Sequence, residues 1–351
     1  MRRVLALLII AAAGVGHAEP RLPPVFDSKD VARASEFDTR VRTYLAPTRA
    51  RPNFNLIQDA LIDRVLIEDG RATGVRAADG RAILGREVVL CAGAYGSPAI
   101  LLRSGIGPAG ELRALGVAVV ADRPGVGANL LDHPNMFIAD HDGEPTFLVK
   151  PEYAPAETTF MPNFIKARSS RASDEIDLHI YSGQFLDASG AWALWFSVSL
   201  QSAVSQGRVR LTSLDPDATL HIDHRHLRDG PDLEAICDGV ELLGLLVATP
   251  PLARMIDPVP GQTPPWHDRD ELRAWVRERI GTTYHPSSTC RMGPSDDPDA
   301  VVDAAGRVHG VAGLRVADAS IFPTGPRANI HCTVVAVAEK LADAIRSEAT
   351  A

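Results

Sequence analysis

The sequence predicts two structural classes in one chain, an α/β part and an α+β part built on an antiparallel sheet. Its 351 residues correspond to about two domains, and a hydrophobic content of 45% is sufficient for a large core. The segment 86–94, which is apolar without interruption from Val88, is typical of a strand buried in a parallel sheet. Residues 135–282 instead carry alternating strands and most of the tryptophans, which is typical of an antiparallel sheet.

The composition limits the kinds of partner. The chain has 36 Lys and Arg against 44 Asp and Glu, which gives a formal net charge of −8. This excess of acidic residues argues against a nucleic-acid partner and a basic membrane-binding surface, so we expect a small-molecule substrate. The four cysteines form no Cys-x-x-Cys pair, and we expect buried thiols rather than a disulfide framework. They are Cys91, Cys237, Cys290 and Cys332.

The first residues have the pattern of an export signal. Two arginines precede the apolar run Val4–Ala13, and the small residues Gly16 and Ala18 follow at positions suited to a signal peptidase. We therefore expect residues 1–18 to be a signal peptide and the protein to be periplasmic or secreted. The apolar run is only about ten to twelve residues long, whereas a stable membrane span needs roughly 20.

Two alternatives to export are open at this end of the chain. One is a cytoplasmic protein whose first residues reflect a mis-assigned start codon or the remnant of a buried strand. The other takes Leu7–Ala13 as the first strand of a dinucleotide-binding unit. That second interpretation is disfavoured because Glu19 occupies the third glycine position and Pro20 follows where the helix should run.

Strand and helix signals follow one another in the next segment. Runs of β-branched residues are separated by Asp69-Gly70 and Asp79-Gly80, which predicts antiparallel hairpins. After the apolar strand, Ser97 suits an N-cap and Pro98 suits the first turn of a helix. A helix that starts directly after a strand ending in small residues suits an anionic group, while close backbone packing is the alternative explanation.

The remaining elements are predicted from periodicity. Alternating residues indicate strands at Ile180–Gly183, Trp195–Leu200 and Arg208–Leu211. Helical spacing indicates a helix over Asp232–Val247 and a closing helix from about Thr333 to Arg346.

Several ordered motifs carry a family resemblance. They are Gly93–Pro98 with Ser104–Gly107, Pro124–Pro134, Tyr284–Gly293, Asp318–Ser320 and Asn329–Asp343. Together, over about residues 38–346, they resemble the glucose-methanol-choline (GMC) flavin oxidoreductases. Any one of them alone would be weak.

The resemblance implies an architecture and a reaction. The implied architecture is a truncated FAD-binding Rossmann-like domain with an antiparallel-sheet substrate domain. It divides the chain into a partial FAD-binding domain over 38–134, a substrate domain over 135–282 and a return to the FAD-binding domain over 283–346. The implied reaction is the FAD-dependent oxidation of a small alcohol, similar to that of choline dehydrogenases, with hydride passing to flavin N5.

The resemblance also implies the catalytic residues. His285 matches the family's active-site histidine, and an imidazole with an ordinary pKa near 6.5 can accept a proton at neutral pH. Asn329 matches the paired His or Asn of the family, where a neutral amide can hold the substrate oxygen. His331 is the alternative to Asn329, and both could face the flavin only if this segment is extended.

Cofactor contacts are implied at the small-residue strand end, at the turn after the last strand, at one hairpin strand and at the start of the last helix. For two of these residues, Ile62 and Ala319, ordinary core packing is an equal alternative. The implied contact residues are Ile62, Ala92, Gly93, Asp318, Ala319, Asn329 and Ile330.

The opening part of the family pattern has no counterpart in this sequence before about residue 38. Family members open with a strand, a G-x-G-x-x-G turn and a helix, whose amides hold the FAD pyrophosphate. The alternatives to an FAD-dependent enzyme are therefore a subunit that needs a partner polypeptide supplying this segment to bind FAD, and a non-catalytic remnant of the fold that binds no flavin.

A group of histidines raises the question of a metal. His221, His224 and His226 lie close together, and on an extended stretch 224 and 226 share one face. No carboxylate pattern nearby completes a zinc site. We therefore expect a solvated loop and no metal.

Overall fold

The computed structural model describes residues 7–9, 44, 46–49, 51–138, 145–156 and 159–350. The strands are β1 (Leu7–Ile9), β2 (Ile62–Glu68), β3 (Arg71–Ala77), β4 (Ala82–Leu84), β5 (Val88–Leu90), β6 (Ile106–Gly107), β7 (Ala121–Asp122), β8 (Pro134–Ile138), β9 (Phe147–Val149), β10 (Thr159–Ala167), β11 (Leu178–Leu186), β12 (Trp192–Leu200), β13 (Arg208–Arg210), β14 (His221–Asp223), β15 (Ile256–Pro258), β16 (Gly281–Thr282) and β17 (Leu314–Val316). The α-helices are α1 (Ala46–Arg49), α2 (Gly93–Arg103), α3 (Ala109–Ala114), α4 (Gly230–Val247), α5 (Pro250–Ala253), α6 (Arg269–Arg279) and α7 (His331–Thr350). Short 3-10 helices lie at Pro151–Tyr153 and Ala319–Ile321.

A small parallel sheet has β5 at its centre. β1 pairs with one edge of β5 and β17 with the other, both in parallel. All three residues of β5 are buried, as the continuous apolar run predicts. Of the predicted signal peptide, residues 7–9 form β1, and the rest of 1–18 lies outside the described residues.

The antiparallel hairpins predicted before this sheet are confirmed. β2 pairs with β3, and β3 with β4. Asp69 and Gly70 connect the first pair with φ angles of 48° and 73°, the left-handed conformations that a two-residue hairpin turn requires.

The predicted start of helix α2 is wrong. The helix begins at Gly93, so Ser97 lies inside it rather than at its N-cap. The Ser97 hydroxyl instead donates to Asp318 Oδ2 and accepts the backbone N–H of Ala92. A contact with a residue distant in sequence has replaced the local capping role.

Pro98 also lies inside α2, where a proline normally disrupts a helix. Because proline lacks an N–H, it cannot donate to the carbonyl of Ala94, four residues earlier. The hydroxyl of Thr289 donates to that carbonyl instead, at 2.6 Å. The helix therefore continues through Pro98 with this carbonyl satisfied.

The middle region is built on a seven-stranded sheet of antiparallel pairs. Its main path runs β10-β11-β12-β8-β16, and β9 joins β12 to β15. Along β12, Leu194, Phe196 and Val198 pack in the core shared with α4. Ala193 and Trp195 point to the opposite face and form a separate aromatic cluster with residues of β11.

The chain closes with α7, which starts two residues before its predicted start and ends at Thr350. Cys332, in its first turn, is exposed, so the expectation of buried thiols is wrong for this residue. The residue type alone does not decide which face of a helix is covered.

Within the part of the chain that the structure describes, no helix combines the length and apolar character needed to cross a membrane.

Candidate active site

His285 lies on a segment whose backbone is constrained on both sides. Tyr284 has a φ of 61° and Ser288 a φ of 72°, in the left-handed region that residues other than glycine rarely adopt. Such positions persist only where surrounding contacts determine them, and they cluster at functional sites.

The buried carboxylate of Asp132 supplies contacts of this kind. Its Oδ1 accepts the backbone N–H of His133 at 2.7 Å and that of His285 at 3.0 Å. Its Oδ2 accepts the hydroxyl of Thr282, the last residue of β16. Because hydrogen bonds to a carboxylate are stronger than those between neutral groups, Asp132 fixes the backbone of His285 relative to the start of β8.

A chain of hydrogen bonds determines which nitrogen of His285 carries a proton. His133 Nε2 lies 2.8 Å from the carbonyl oxygen of Pro326, which can only accept, so Nε2 is the donor. In a neutral His133, Nδ1 is then an acceptor, and it lies 3.1 Å from Nδ1 of His285. His285 therefore donates from Nδ1, and its Nε2 keeps a lone pair.

Thr283 leads to the same assignment independently. Its hydroxyl donates to the carbonyl oxygen of His133 at 3.2 Å. The hydroxyl oxygen then offers a lone pair to Nδ1 of His285, 3.1 Å away. Two acceptors therefore converge on the Nδ1–H of His285.

His133 stays neutral under ordinary conditions. Burial, together with the neighbouring imidazole of His285, lowers the pKa of His133 to about 4. The effects of the Pro326 carbonyl and the Asp132 carboxylate oppose this shift and are smaller. At neutral pH His133 can therefore act as the acceptor that the tautomer of His285 requires.

Other predicted residues meet at the start of α2. Asp318 Oδ2 accepts the backbone N–H of Gly93 at 2.9 Å and the hydroxyl of Ser97 at 2.5 Å. Because a protein carboxylate takes the first N–H of this helix, close packing explains the helix start better than an anion site. Gly93 has a φ of 75°, and a Cβ there would meet nothing within 4 Å. Its backbone therefore faces open space that a ligand can approach closely.

The segment after His285 connects these two groups of residues. The N–H of Ser288 donates to the carbonyl of Ala319 at 3.1 Å, and the N–H of Cys290 donates to that of Ser320 at 2.8 Å. With Thr289 bonded to the start of α2, this segment links the surroundings of His285 to the corner formed by residues 92–94 and 318–320.

Asn329 occupies a different position from His285. It is exposed and lies in the non-helical segment before α7. Its segment does reach the histidine pair, but through the carbonyl of Pro326. His331 is half-buried at the first position of α7. The role of Asn329, with His331 as its alternative, stays a prediction.

Three further predicted cofactor residues pack into the core. Ile62 is 2% exposed and Ala319 is 8% exposed, which favours the packing interpretation of their side chains. Ile330 is half-buried against the same core. Any contact of these residues with a ligand would involve the backbone.

Sequence reasoning missed the groups that orient His285. Asp132 and His133 lie in the motif Pro124–Pro134, but the neighbouring residues in the sequence indicate no role for either. His133 and His285 are 152 residues apart, so only the folded chain reveals the pair. Thr283, two residues before His285, carries no signal of its own.

Comparison with known proteins identifies the family. Two family models described as GMC oxidoreductase match residues 31–135 and 203–338. The chain belongs to the GMC oxidoreductase family. The resemblance seen in the motifs is thereby confirmed, as is the predicted fold class, because the structural neighbours are GMC oxidoreductases with an FAD-binding fold. FAD is the cofactor of these relatives.

The GMC relatives are named for different substrates. The chain is 40% identical to a 5-(hydroxymethyl)furfural oxidase of Methylovorus sp. (strain MP688), over 93% of this chain and 63% of the relative. It is 37% identical to an oxygen-dependent choline dehydrogenase of Yersinia pseudotuberculosis, over 87% and 58%. The crystal structure of pyridoxine 4-oxidase from Mesorbium loti matches with a TM-score of 0.73 and 28% identity, over 88% and 61%. The chain thus spans less than two thirds of each relative's length.

The small-residue corner fits a GMC cofactor sterically. Ala92 and Gly93 are half-buried rather than fully covered, and the open space beside Gly93 lies where the family resemblance predicts FAD. Asp318 holds this corner together by accepting from Gly93 and Ser97, and the contacts of Asp318 and Gly93 with the cofactor stay predictions.

Proposed function

We propose that this chain carries the substrate-oxidising site of an FAD-linked alcohol oxidoreductase, with His285 as the base. The observation that supports this proposal is the tautomer of His285, because a base must present an unprotonated nitrogen to the alcohol hydroxyl. When bound, FAD supplies the acceptor for the hydride that leaves the alcohol carbon.

The atom that accepts the proton is Nε2 of His285. It takes the hydroxyl proton as the carbon–hydrogen bond breaks, so that the alcohol becomes an aldehyde and the imidazole becomes an imidazolium. The Nδ1–H of the imidazolium continues to donate to His133 and Thr283, so no hydrogen bond has to rearrange as the charge develops. A neutral His133 is part of this arrangement because a second positive charge beside His285 would oppose proton transfer.

One face of the antiparallel sheet is the proposed substrate surface. Strand alternation places the buried His179 and Trp195 on the same face as Phe137, which is exposed and offers its ring to a substrate. The rings of Phe137 and Trp195 lie 5.2 Å apart, centroid to centroid.

This face favours a neutral alcohol that carries an aromatic or heteroaromatic ring. Aromatic side chains gain from offset or edge contacts with such rings. The positions of β8, β11 and β12 that point to this face include no carboxylate, so a quaternary ammonium group would lack a counter-charge from these strands. Two of the relatives are named for hydroxymethylfurfural and pyridoxine, which are both ring-bearing alcohols.

The experiment measures flavin retention and turnover together. The chain is purified with added FAD, desalted and assayed with hydroxymethylfurfural and with choline, using a dye as electron acceptor. We expect a flavin absorption band near roughly 450 nm that survives desalting. His285→Ala should keep this band and lose at least about 10²-fold in turnover.

Each negative outcome has a distinct meaning. A folded protein without the band would contradict the proposal and favour a non-catalytic member of the fold. A band that appears only with an added partner polypeptide would favour a subunit that needs a partner to bind FAD. Unchanged turnover in His285→Ala would reject the base, and faster turnover of choline would reject the substrate class.

A further inference from the structure

Asp132, His224 and His226 meet beside the candidate active site. One ligand-type atom of each residue lies within 4.8 Å of those of the other two. The two imidazole rings stack with their centroids 4.8 Å apart and an interplanar angle of 22°. The sequence suggested a solvated loop in which no carboxylate pattern completes a zinc site, but the fold brings Asp132 to the cluster. His221, the third histidine of the segment, is exposed.

Two nitrogens of this cluster are buried without a hydrogen-bond partner among the described residues. They are Nδ1 of His224 and Nε2 of His226. Asp132 Oδ2 lies 3.5 Å from Nδ1 of His224, which is longer than an ordinary hydrogen bond. Because buried polar atoms are nearly always paired in folded proteins, these two nitrogens indicate that something besides the protein contacts them.

The surroundings of the cluster match those of a metal site. Nε2 of His224 lies 3.1 Å from the hydroxyl of Tyr95, which leaves Nδ1 available for a ligand bond. Oδ1 of Asp132 is held by two backbone N–H groups, while Oδ2 faces His224. Histidines and carboxylates that bind metals are typically oriented by outer hydrogen bonds of this kind.

We propose that Asp132, His224 and His226 bind one divalent transition-metal ion, with zinc as the best match. Two imidazoles and one carboxylate are a donor set that zinc accepts, with water in the fourth position. The ion would tie the segment after β14 to the carboxylate that positions His285.

The test measures metal binding without FAD or substrate. The full chain is stripped with a chelator and titrated with Zn²⁺ by calorimetry and with Co²⁺ by visible absorption. We expect one equivalent to bind and His226→Gln to weaken binding at least about 100-fold, beyond the 10- to 100-fold typical for loss of an outer partner. Tyr95→Phe, which removes such a partner, should weaken binding about 10-fold. His221→Gln is the matched control and should bind as the wild type does.

Two results would overturn the proposal. One is wild-type protein that binds neither ion more tightly than His226→Gln does. The other is an equal loss of binding in His221→Gln, which would point to non-specific binding by the segment. Circular dichroism checks that each variant folds. If His226→Gln does not fold, the wild-type Co²⁺ spectrum decides: ligand-field bands of a low-coordinate site support the proposal, and a spectrum like that of aqueous Co²⁺ contradicts it.

Discussion

The two sides of the Asp132 carboxylate have different surroundings. On the side of His285 and His133, the Nδ1–H of His285 and the Nε2–H of His133 each have an acceptor. Around His224 and His226 two buried nitrogens have no hydrogen-bond partner among the described residues. A complete network holds one tautomer and orients a base, whereas an incomplete one leaves donor atoms for an ion. The Asp132 carboxylate is therefore part of both arrangements.

The largest expected effect follows from removing one of the two acceptors for His285 Nδ1–H. His133→Leu should lower turnover by roughly 10²-fold while flavin stays bound, because the proposed base then loses one of the two groups that fix its tautomer. A purely structural role would leave the pH–rate profile unchanged, so the profile is the informative readout, and we expect its acidic limb, which reports protonation of the base, to move. His133→Gln, whose amide can both accept and donate, should restore part of the loss. Equal profiles and equal losses in the two variants would rule out the tautomer role.

Removing the shared carboxylate should affect both sides. Asp132→Ala leaves the backbone N–H groups of His133 and His285 and the hydroxyl of Thr282 without their acceptor, at a cost of about 3 kcal/mol in unfolding free energy. Asp132→Asn keeps one acceptor oxygen and should lose about 1 kcal/mol. Urea unfolding measures both values, and equal midpoints for Asp132→Ala and wild type would show that the carboxylate is not an anchor.

A pH effect should distinguish the histidines of the two sides from exposed ones. The pKa values of His133 and His226 are about 4 in the folded state, below the ordinary 6.5, so the unfolded chain binds more protons between these values. The free energy of unfolding should therefore fall as the pH drops from 7 towards 4, by at most about 2 kcal/mol per histidine at pH 5.

The variant His226→Gln isolates one of these contributions. In the presence of a chelator its unfolding free energy should depend less on pH than that of the wild type, whereas the exposed-site control His221→Gln should follow the wild type. A wild-type protein as stable at pH 5 as at pH 7 would contradict the lowered pKa values.

The smallest effect concerns the link between His285 and the start of α2. Thr289→Val removes the hydroxyl that donates to the Ala94 carbonyl, which Pro98 leaves without a helix partner. We expect a loss of about 1 kcal/mol in unfolding free energy, measured by urea. Thr289→Ser keeps the hydroxyl and should lose less. The same loss in both variants would assign the effect to the methyl group instead.

The elements with local signals were predictable from the sequence. The hairpin at Asp69-Gly70, the buried strand β5 and the helices α4 and α7 all follow from turn residues or apolar periodicity. The motif that contains His285 was enough to select it as the candidate base, and that role stays a prediction. In each case the deciding residues lie close together along the chain.

What could not be predicted depends on contacts between distant residues. Ser97 has the residue type of an N-cap, but its hydroxyl bonds to Asp318, 221 positions away. The histidines at 224 and 226 gave an incomplete metal signal because their carboxylate, Asp132, precedes them by 92 and 94 positions. Spacing along the chain carries no information on such pairings.

The protonation state of His285 can be measured directly by ¹⁵N-edited NMR of the imidazole nitrogens at neutral pH, with His285→Ala identifying its signals. We expect a protonated Nδ1 and an unprotonated Nε2, with Nδ1–H coupled through its hydrogen bond to His133. A neutral His285 with its proton on Nε2 would contradict the assignment, because that nitrogen could not accept the proton of an alcohol.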